Sequence, residues 1–222
     1  WGGFQPDLCE IRKRAPREDG ERCSEVCDQR VRFFVGQAVG RRLGASLSVV
    51  QTSWYDLEKT LAAGGCDAIV NAWTPSRRTP AEIAASEPYL QWGLQVAVRQ
   101  GETRFARYTD LAGHAVGHID DPALELTLRA LAGAKLVAFT LNRELFYALQ
   151  TRKIDAVAHD STYISWRIGR GEPFKTVGEP LNKLGYHVGV AKAGGDASAR
   201  VLAAVQDLAR SAEMDGIRRK WR

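Results

Sequence analysis

The chain has 222 residues, with 31 Lys and Arg against 26 Asp and Glu for a formal charge of +5, and is 45% hydrophobic and 26% charged. That balance excludes a disordered chain, a collagen and a pure coiled coil, and no stretch approaches the roughly 18 consecutive apolar residues of a membrane helix. At the usual ~150 residues per domain the length falls between one and two domains, which admits a two-lobed architecture.

The opening stretch to about residue 30 is polar and irregular, as in Arg14-Ala15-Pro16-Arg17-Glu18-Asp19-Gly20, and reads as a long loop. From Val31 the apolar residues Phe33, Phe34, Ala38, Val39 and Leu43 recur at helical spacing until Gly44, a helix stop. Leu47–Val50 reads as a strand. Ser53 is placed to cap a helix bearing Trp54, Leu57 and Leu61, which Gly64-Gly65 closes, and Cys66–Val70 reads as a buried strand. Leu94–Val98 is a connecting strand. A second run follows: strand Ala115–Ile119, helix Pro122–Leu131, strand Lys135–Phe139, helix Arg143–Gln150, strand Ile154–Ala158. Strand Tyr186–Val190 comes next, and the chain ends in an amphipathic helix with Val201, Val205, Leu208 and Ala212 in register. Alternation at this period predicts α/β lobes with parallel sheets covered by helices. The two runs predict lobe one over 1–94 with 189–222, lobe two over 95–188, and a two-strand hinge between them.

The basic clusters Ile11-Arg12-Lys13-Arg14 and Arg218-Arg219-Lys220-Trp221-Arg222 lack the interleaved aromatics and Gly-rich loops of a nucleic-acid surface and read as solvated faces. Four cysteines, Cys9, Cys23, Cys27 and Cys66, sit in the first third. An even number in one region suits two disulfides and an oxidising compartment, with three connectivities open. Reduced buried thiols are the alternative; no pair has the two-residue spacing of a zinc knuckle. With no leader at Trp1, a secreted protein is expected here in mature or trimmed form.

Several segments, in order, resemble the extracytoplasmic solute-binding proteins of ABC transporters, in their polar amino-acid branch (family 3, type II periplasmic-binding fold). Trp1-Gly2-Gly3-Phe4 is similar to the aromatic-Pro-Pro-Phe segment after that family's first strand. Trp54-Tyr55-Asp56-Leu57 with Leu61, Gly65 and Asp67-Ala68-Ile69-Val70 resembles its Trp-Asp-x-Leu helix and Gly-x-x-Asp-Ala-Ile-Ile strand. Ser86-Glu87-Pro88-Tyr89 resembles Phe-Ser-Asp-Pro-Tyr, and Asp110-Leu111-Ala112-Gly113 through Gly117 resembles Asp-Leu-Lys-Gly-Lys-x-Val-Gly. Ala148-Leu149 with Ile154–Asp160, and Asp215-Gly216 with Lys220-Trp221, complete the series. The likeness runs from about Val31 to the end.

The resemblance implies a two-lobed α/β protein, each lobe a mainly parallel sheet flanked by helices, that closes on a ligand in the cleft between lobes for a membrane permease. It implies Asp160 as a partner for a ligand ammonium; the residue also suits the cap of the following helix, and the two roles are compatible. Two features depart from the family. Its carboxylate-binding Arg falls on Thr79, with Arg77 and Arg78 just before; a one-residue slip in the loop would return either arginine to the cleft. Its small Gly-Thr or Gly-Ser at the lobe-two helix entrance is replaced by Asp120-Asp121-Pro122, where an anionic group would be repelled. His118, Asp120, Asp121, His159 and Asp160 fall at the carboxyl ends of predicted strands, the edge where open α/β sheets hold ligands, and favour a cationic ligand or, as carboxylates with imidazoles nearby, a hard metal ion. Helix capping by Asp120 or Asp121 is the plainer role, and no spacing is a metal signature. The aromatics Trp1, Phe4, Trp54, Trp73 and Tyr163 are cleft candidates, Trp73 ahead of Trp54, with Asn71 and Thr74 supplying neutral hydrogen-bond groups. The expected ligand-binding set is therefore Phe4, Asn71, Trp73, Thr74, Arg77, Arg78, Asp120, Asp121 and Asp160, with no metal and no cofactor.

Three functions compete. A transporter subunit for a small polar or cationic solute comes first. The resemblance also covers accessory or sensor domains, such as those beside periplasmic quinoprotein dehydrogenases. The same fold is similar to cyclohexadienyl dehydratases, where Asp160, Asp120 or His118 would be the general acid. The sequence holds no Gly-x-Ser-x-Gly or His-Glu-x-x-His, so binding is preferred over catalysis.

Overall fold

The structure, a computed structural model, describes residues 7–10 and 27–219. In chain order the elements are β1 (Asp7–Glu10), α1 (Cys27–Leu43), β2 (Val49–Thr52), a 3-10 turn (Trp54–Asp56), α2 (Leu57–Ala62), β3 (Ala68–Trp73), β4 (Ile83–Ala85), β5 (Leu90–Trp92) and β6 (Leu94–Arg99). They continue with β7 (Ala115–Ile119), α3 (Glu125–Leu128), β8 (Lys135–Phe139), α4 (Asn142–Gln150), β9 (Ala156–Asp160), α5 (Ser161–Gly169), β10 (Phe174–Val177), β11 (Leu184–Ala191), α6 (Gly195–Ala209) and α7 (Ala212–Arg219). The described residues fall into two compact units, one reaching Leu90 and resuming at Gly185, the other Gln91–Leu184. The fold is α/β, with two sheets flanked by helices, as the sequence predicts.

Unit one carries a sheet ordered β2-β1-β3-β11-β4, with β5 beside β11. The expectation of a mainly parallel sheet is corrected here: each registered pair is antiparallel. Strands β2 and β3, joined through α2, do run the same way, as a strand-helix-strand rhythm demands, but β1 lies between them in the opposite sense. Strand β1 and the start of α1 at Cys27 also fall within the stretch read as a loop. Helix α1 ends where expected: Gly44 takes φ +62, and the Ala45 N–H reaches back to the Gly40 carbonyl, closing the last turn. Arg42 then binds Asp207 at 2.7 Å and Glu213 at 2.7 Å, which ties α1 to α6 and α7. Where one terminal helix was expected there are two, with Ala212 opening the second and Val201, Val205 and Leu208 buried on the first. Leu57, Leu61, Cys66, Ile69, Trp73 and Ile83 form a core cluster.

Unit two is a sheet ordered β10-β6-β9-β7-β8. Its parallel pairs are β8 with β7 and β7 with β9, reached through α3 and α4; β6 and β10 add antiparallel strands. The parallel character is thus confined to strands joined by helical crossovers. Helix α4 lays Leu145, Phe146 and Leu149 on the sheet together with Ile154, Val157, Ile164 and Phe174. A Cβ on Gly117 would come within 2.6 Å of the Leu145 and Ile154 side chains, so close approach of α4 requires glycine there. Burial of a ring such as Phe146 stabilises by roughly 1.5–3 kcal/mol. The helix expected over 122–131 is reduced to Glu125–Leu128. The bonds Leu124 N–H to Asp121, Ala130 N–H to Thr127 and Leu131 N–H to Leu128 each span three residues, so the flanks wind as tight turns.

Candidate functional site

In unit one the candidate residues gather at the carboxyl end of β3. Ile69 lies opposite Gly189 and Trp73 opposite His187, so Val70, Asn71 and Ala72 bulge against the single residue Val188. Ala72 takes φ 44, a left-handed conformation that costs a residue with a Cβ roughly 1–2 kcal/mol. The neighbours hold it there. The Ala72 N–H donates to the Tyr89 hydroxyl at 3.2 Å. The Trp73 ring, 4% exposed, sits in the core of unit one, and its Nε1–H donates to Glu58 Oε1 at 2.9 Å. Gly189 gives that ring its room, since an added Cβ would stand 3.0 Å from it. Asn71 is fully buried, and Thr74 Oγ1 donates to the Gly185 carbonyl at 2.9 Å.

Thr79, at the position of the resembled family's arginine, closes the turn from Ser76. Its Oγ1 accepts the Ser76 N–H at 2.9 Å and donates to Glu58 Oε1 at 2.7 Å. Arg77 and Arg78 are exposed on that turn, the Arg78 N–H bonded to Ser76 Oγ at 3.1 Å. Glu58 is the residue that sequence reasoning missed. Its bonds to Trp73 and Thr79 join positions 15 and 21 residues apart, which no local spacing signals. Phe4 and Trp1 lie outside the described residues, as does Cys23.

In unit two the candidates stand at the ends of β7 and β9, adjacent parallel strands with His118 level with Ala158. Asp160 caps α5: its Oδ1 accepts from the Thr162 N–H at 2.6 Å, the Thr162 hydroxyl at 2.7 Å and the Tyr163 N–H at 3.3 Å. Asp121 accepts the Ala123 N–H at 2.8 Å at the turn into α3, and Asp120 is exposed. At the entrance to α5 the chain's own carboxylate therefore takes the amides where an anionic ligand group would otherwise dock, while Asp121 bonds only within the turn before α3. His159 Nε2 bonds to Asn142 Oδ1 at 2.9 Å, and its ring lies 4.7 Å from Tyr163 and 5.8 Å from Phe146. Burial pushes its pKa down to about 3, which keeps the imidazole neutral at ordinary pH. His118 Nδ1 lies 2.9 Å from the Ile119 carbonyl. Among the described residues no three His, Cys, Asp or Glu side chains are grouped to hold a metal ion.

The family model for bacterial extracellular solute-binding proteins, family 3, matches residues 32–222. The chain belongs to that family. Solved structures share the solute-binding fold. An ancestral arginine-binding protein bound to glutamine matches with TM-score 0.74 and 22% identity, over 86% of this chain and 86% of that one. A mutant of ArgBP from T. maritima matches with TM-score 0.75 and 23% identity, over 86% and 84%. The GLUR0 ligand-binding core in complex with L-glutamate matches with TM-score 0.77 and 15% identity, over 86% and 88%. At these identities the likeness is one of fold. No curated protein matches the chain. Among the described residues, no helix of this family 3 protein is long and apolar enough to cross a membrane.

Proposed function

We propose that this family 3 protein works outside the cytoplasm as the capture subunit of an ABC transporter and takes a small cationic or neutral polar solute. The candidate residues are Asn71, Thr74, Arg77 and Arg78 within unit one, at the strand end shaped by Trp73 and the Ala72 bulge, and Asp120, Asp121 and Asp160 within unit two. The observation that carries the ligand class is that Asp160 occupies the first amides of α5, with Asp120 and Asp121 following the adjacent strand β7. A ligand carboxylate arriving there meets negative charge in place of free N–H groups. The extracytoplasmic reading goes with two disulfides among the four cysteines, of which Cys66 is buried at the threshold of β3. Thiol counting under denaturing, non-reducing conditions tests it, four free thiols being the contrary result.

The ligand class is tested by native mass spectrometry of co-purified solute, followed by calorimetry with acidic, neutral and basic amino acids, polyamines and divalent ions. A cation should bind and lose affinity in Asp160→Asn, whose side chain still caps α5. Tight binding of an acidic amino acid overturns the assignment. A second reading, an accessory or sensor domain that holds no small molecule, is favoured by one observation: Thr79 is committed to Glu58. Silence across the whole calorimetric panel would select it.

A further inference from the structure

We infer that the outer edge of β8 pairs with the same edge of a second copy of this chain. Strand β8 ends its sheet, and among the described residues only β7 pairs with it. The Lys135 N–H bonds to the His114 carbonyl and the Phe139 carbonyl accepts from the Asp120 N–H, so odd-numbered residues turn their backbone groups toward β7. By alternation, Leu136 and Ala138 present N–H and C=O outward. Leu136 is 43% and Val137 37% exposed, and Leu141 and Tyr147 nearby are exposed as well. Natural sheet edges are protected by charges, prolines or bulges. From Gly133 to Asn142 this segment contains no proline and a single charge, Lys135.

The occupant follows from self-complementarity. In an antiparallel pairing centred on Val137, Leu136 faces Ala138 of the second copy in both directions, so all four outward N–H and C=O pairs close. Val137 meets its own counterpart on the two-fold axis. Each Lys135 faces a Phe139, which puts the two charges at opposite ends of the ladder, where like-charge repulsion is avoided. The result is an isologous contact that joins two five-stranded sheets.

Sedimentation equilibrium of the full chain should show mass rising toward twice the monomer's as concentration increases. Amide exchange at Leu136 and Ala138 should slow over the same range, while that at Val137 stays constant. Val137→Lys places two ammonium groups face to face on the axis, and Ala138→Pro removes an outward donor that β7 does not use. Both variants should remain monomeric and keep the melting temperature that the wild type shows at concentrations too low for it to pair; if the proline variant does not fold, the lysine variant decides alone. A wild-type chain that stays monomeric up to about 1 mM, or a dimer that survives Val137→Lys, overturns the inference.

Discussion

The ends of β3 and β9 solve the same problem, a strand stopping at polar groups, in opposite ways. At β3 the backbone is bulged and Ala72 is forced to φ 44, and the side chains find partners far along the sequence, Trp73 and Thr79 on Glu58 and Thr74 on Gly185. At β9 the chain passes straight into α5, and Asp160 serves amides two and three residues ahead. One end is held by tertiary packing and the other by local capping. Perturbations should therefore cost more at β3 than at β9, and only β9 should tolerate substitution by another capping residue.

Trp73→Ala is the largest break. Removing a buried ring costs about 3–5 kcal/mol, with a donor to Glu58 lost as well, whereas Trp73→Phe should cost only about 1 kcal/mol for the missing N–H. Chemical denaturation measures both, and a loss under ~1 kcal/mol for the alanine variant would show that packing does not anchor β3. Next in size is the acid response of β9. The folded pKa of His159 is pushed below its ordinary value of 6.5 to about 3, so the unfolded chain takes up this proton first. Its stabilising contribution is complete above pH 6.5 and is lost as pH falls toward 3. The loss should exceed about 1.4 kcal/mol, the worth of one pKa unit, and His159→Gln should flatten that part of the pH profile. A wild-type profile unaltered by the substitution would contradict it.

Asp160→Ala should cost about 1 kcal/mol, the usual loss of a helix cap, and Asp160→Asn should restore it. Thermal melts compare the two; equal losses would mean that capping is not what Asp160 does for stability. The smallest effect is Ala72→Gly. Glycine escapes a left-handed penalty of roughly 1–2 kcal/mol but gives back roughly 0.5–1 in chain entropy. A net gain of less than about 1 kcal/mol is expected in chemical denaturation, and a net loss would show that the bulge is unstrained.

The same contrast accounts for what the sequence made legible. Strand β8 was readable to the residue because Lys135–Phe139 is an apolar run between a glycine turn and a polar helix start, and the Asp160 cap was readable because its bonds are local. Strand β3 extends past the expected Val70 to Trp73 because β11 and Tyr89 support it from sequence positions that no window reaches. Strand direction in unit one was hidden for a related reason: the helix rhythm orients β2 and β3 with each other and is silent about strands that enter between them. Of the candidate site, capping and charge were visible, while the Glu58 linkage, built across a helix and a strand, was not.

Strand β11 also sets an order of events during synthesis. It lies between β3 and β4 in the sheet of unit one, yet it is made only after the whole of unit two, Gln91–Leu184, has been translated. Unit two is one continuous segment and has every strand it needs once Val177 has emerged. Unit one must wait, with β3 and β4 lacking their shared neighbour, until residue 191 is in place. The later unit in the sequence is thus the earlier to be complete, and the first-made strands remain open to wrong partners for the time a ribosome takes to add about a hundred residues at ~5–20 per second.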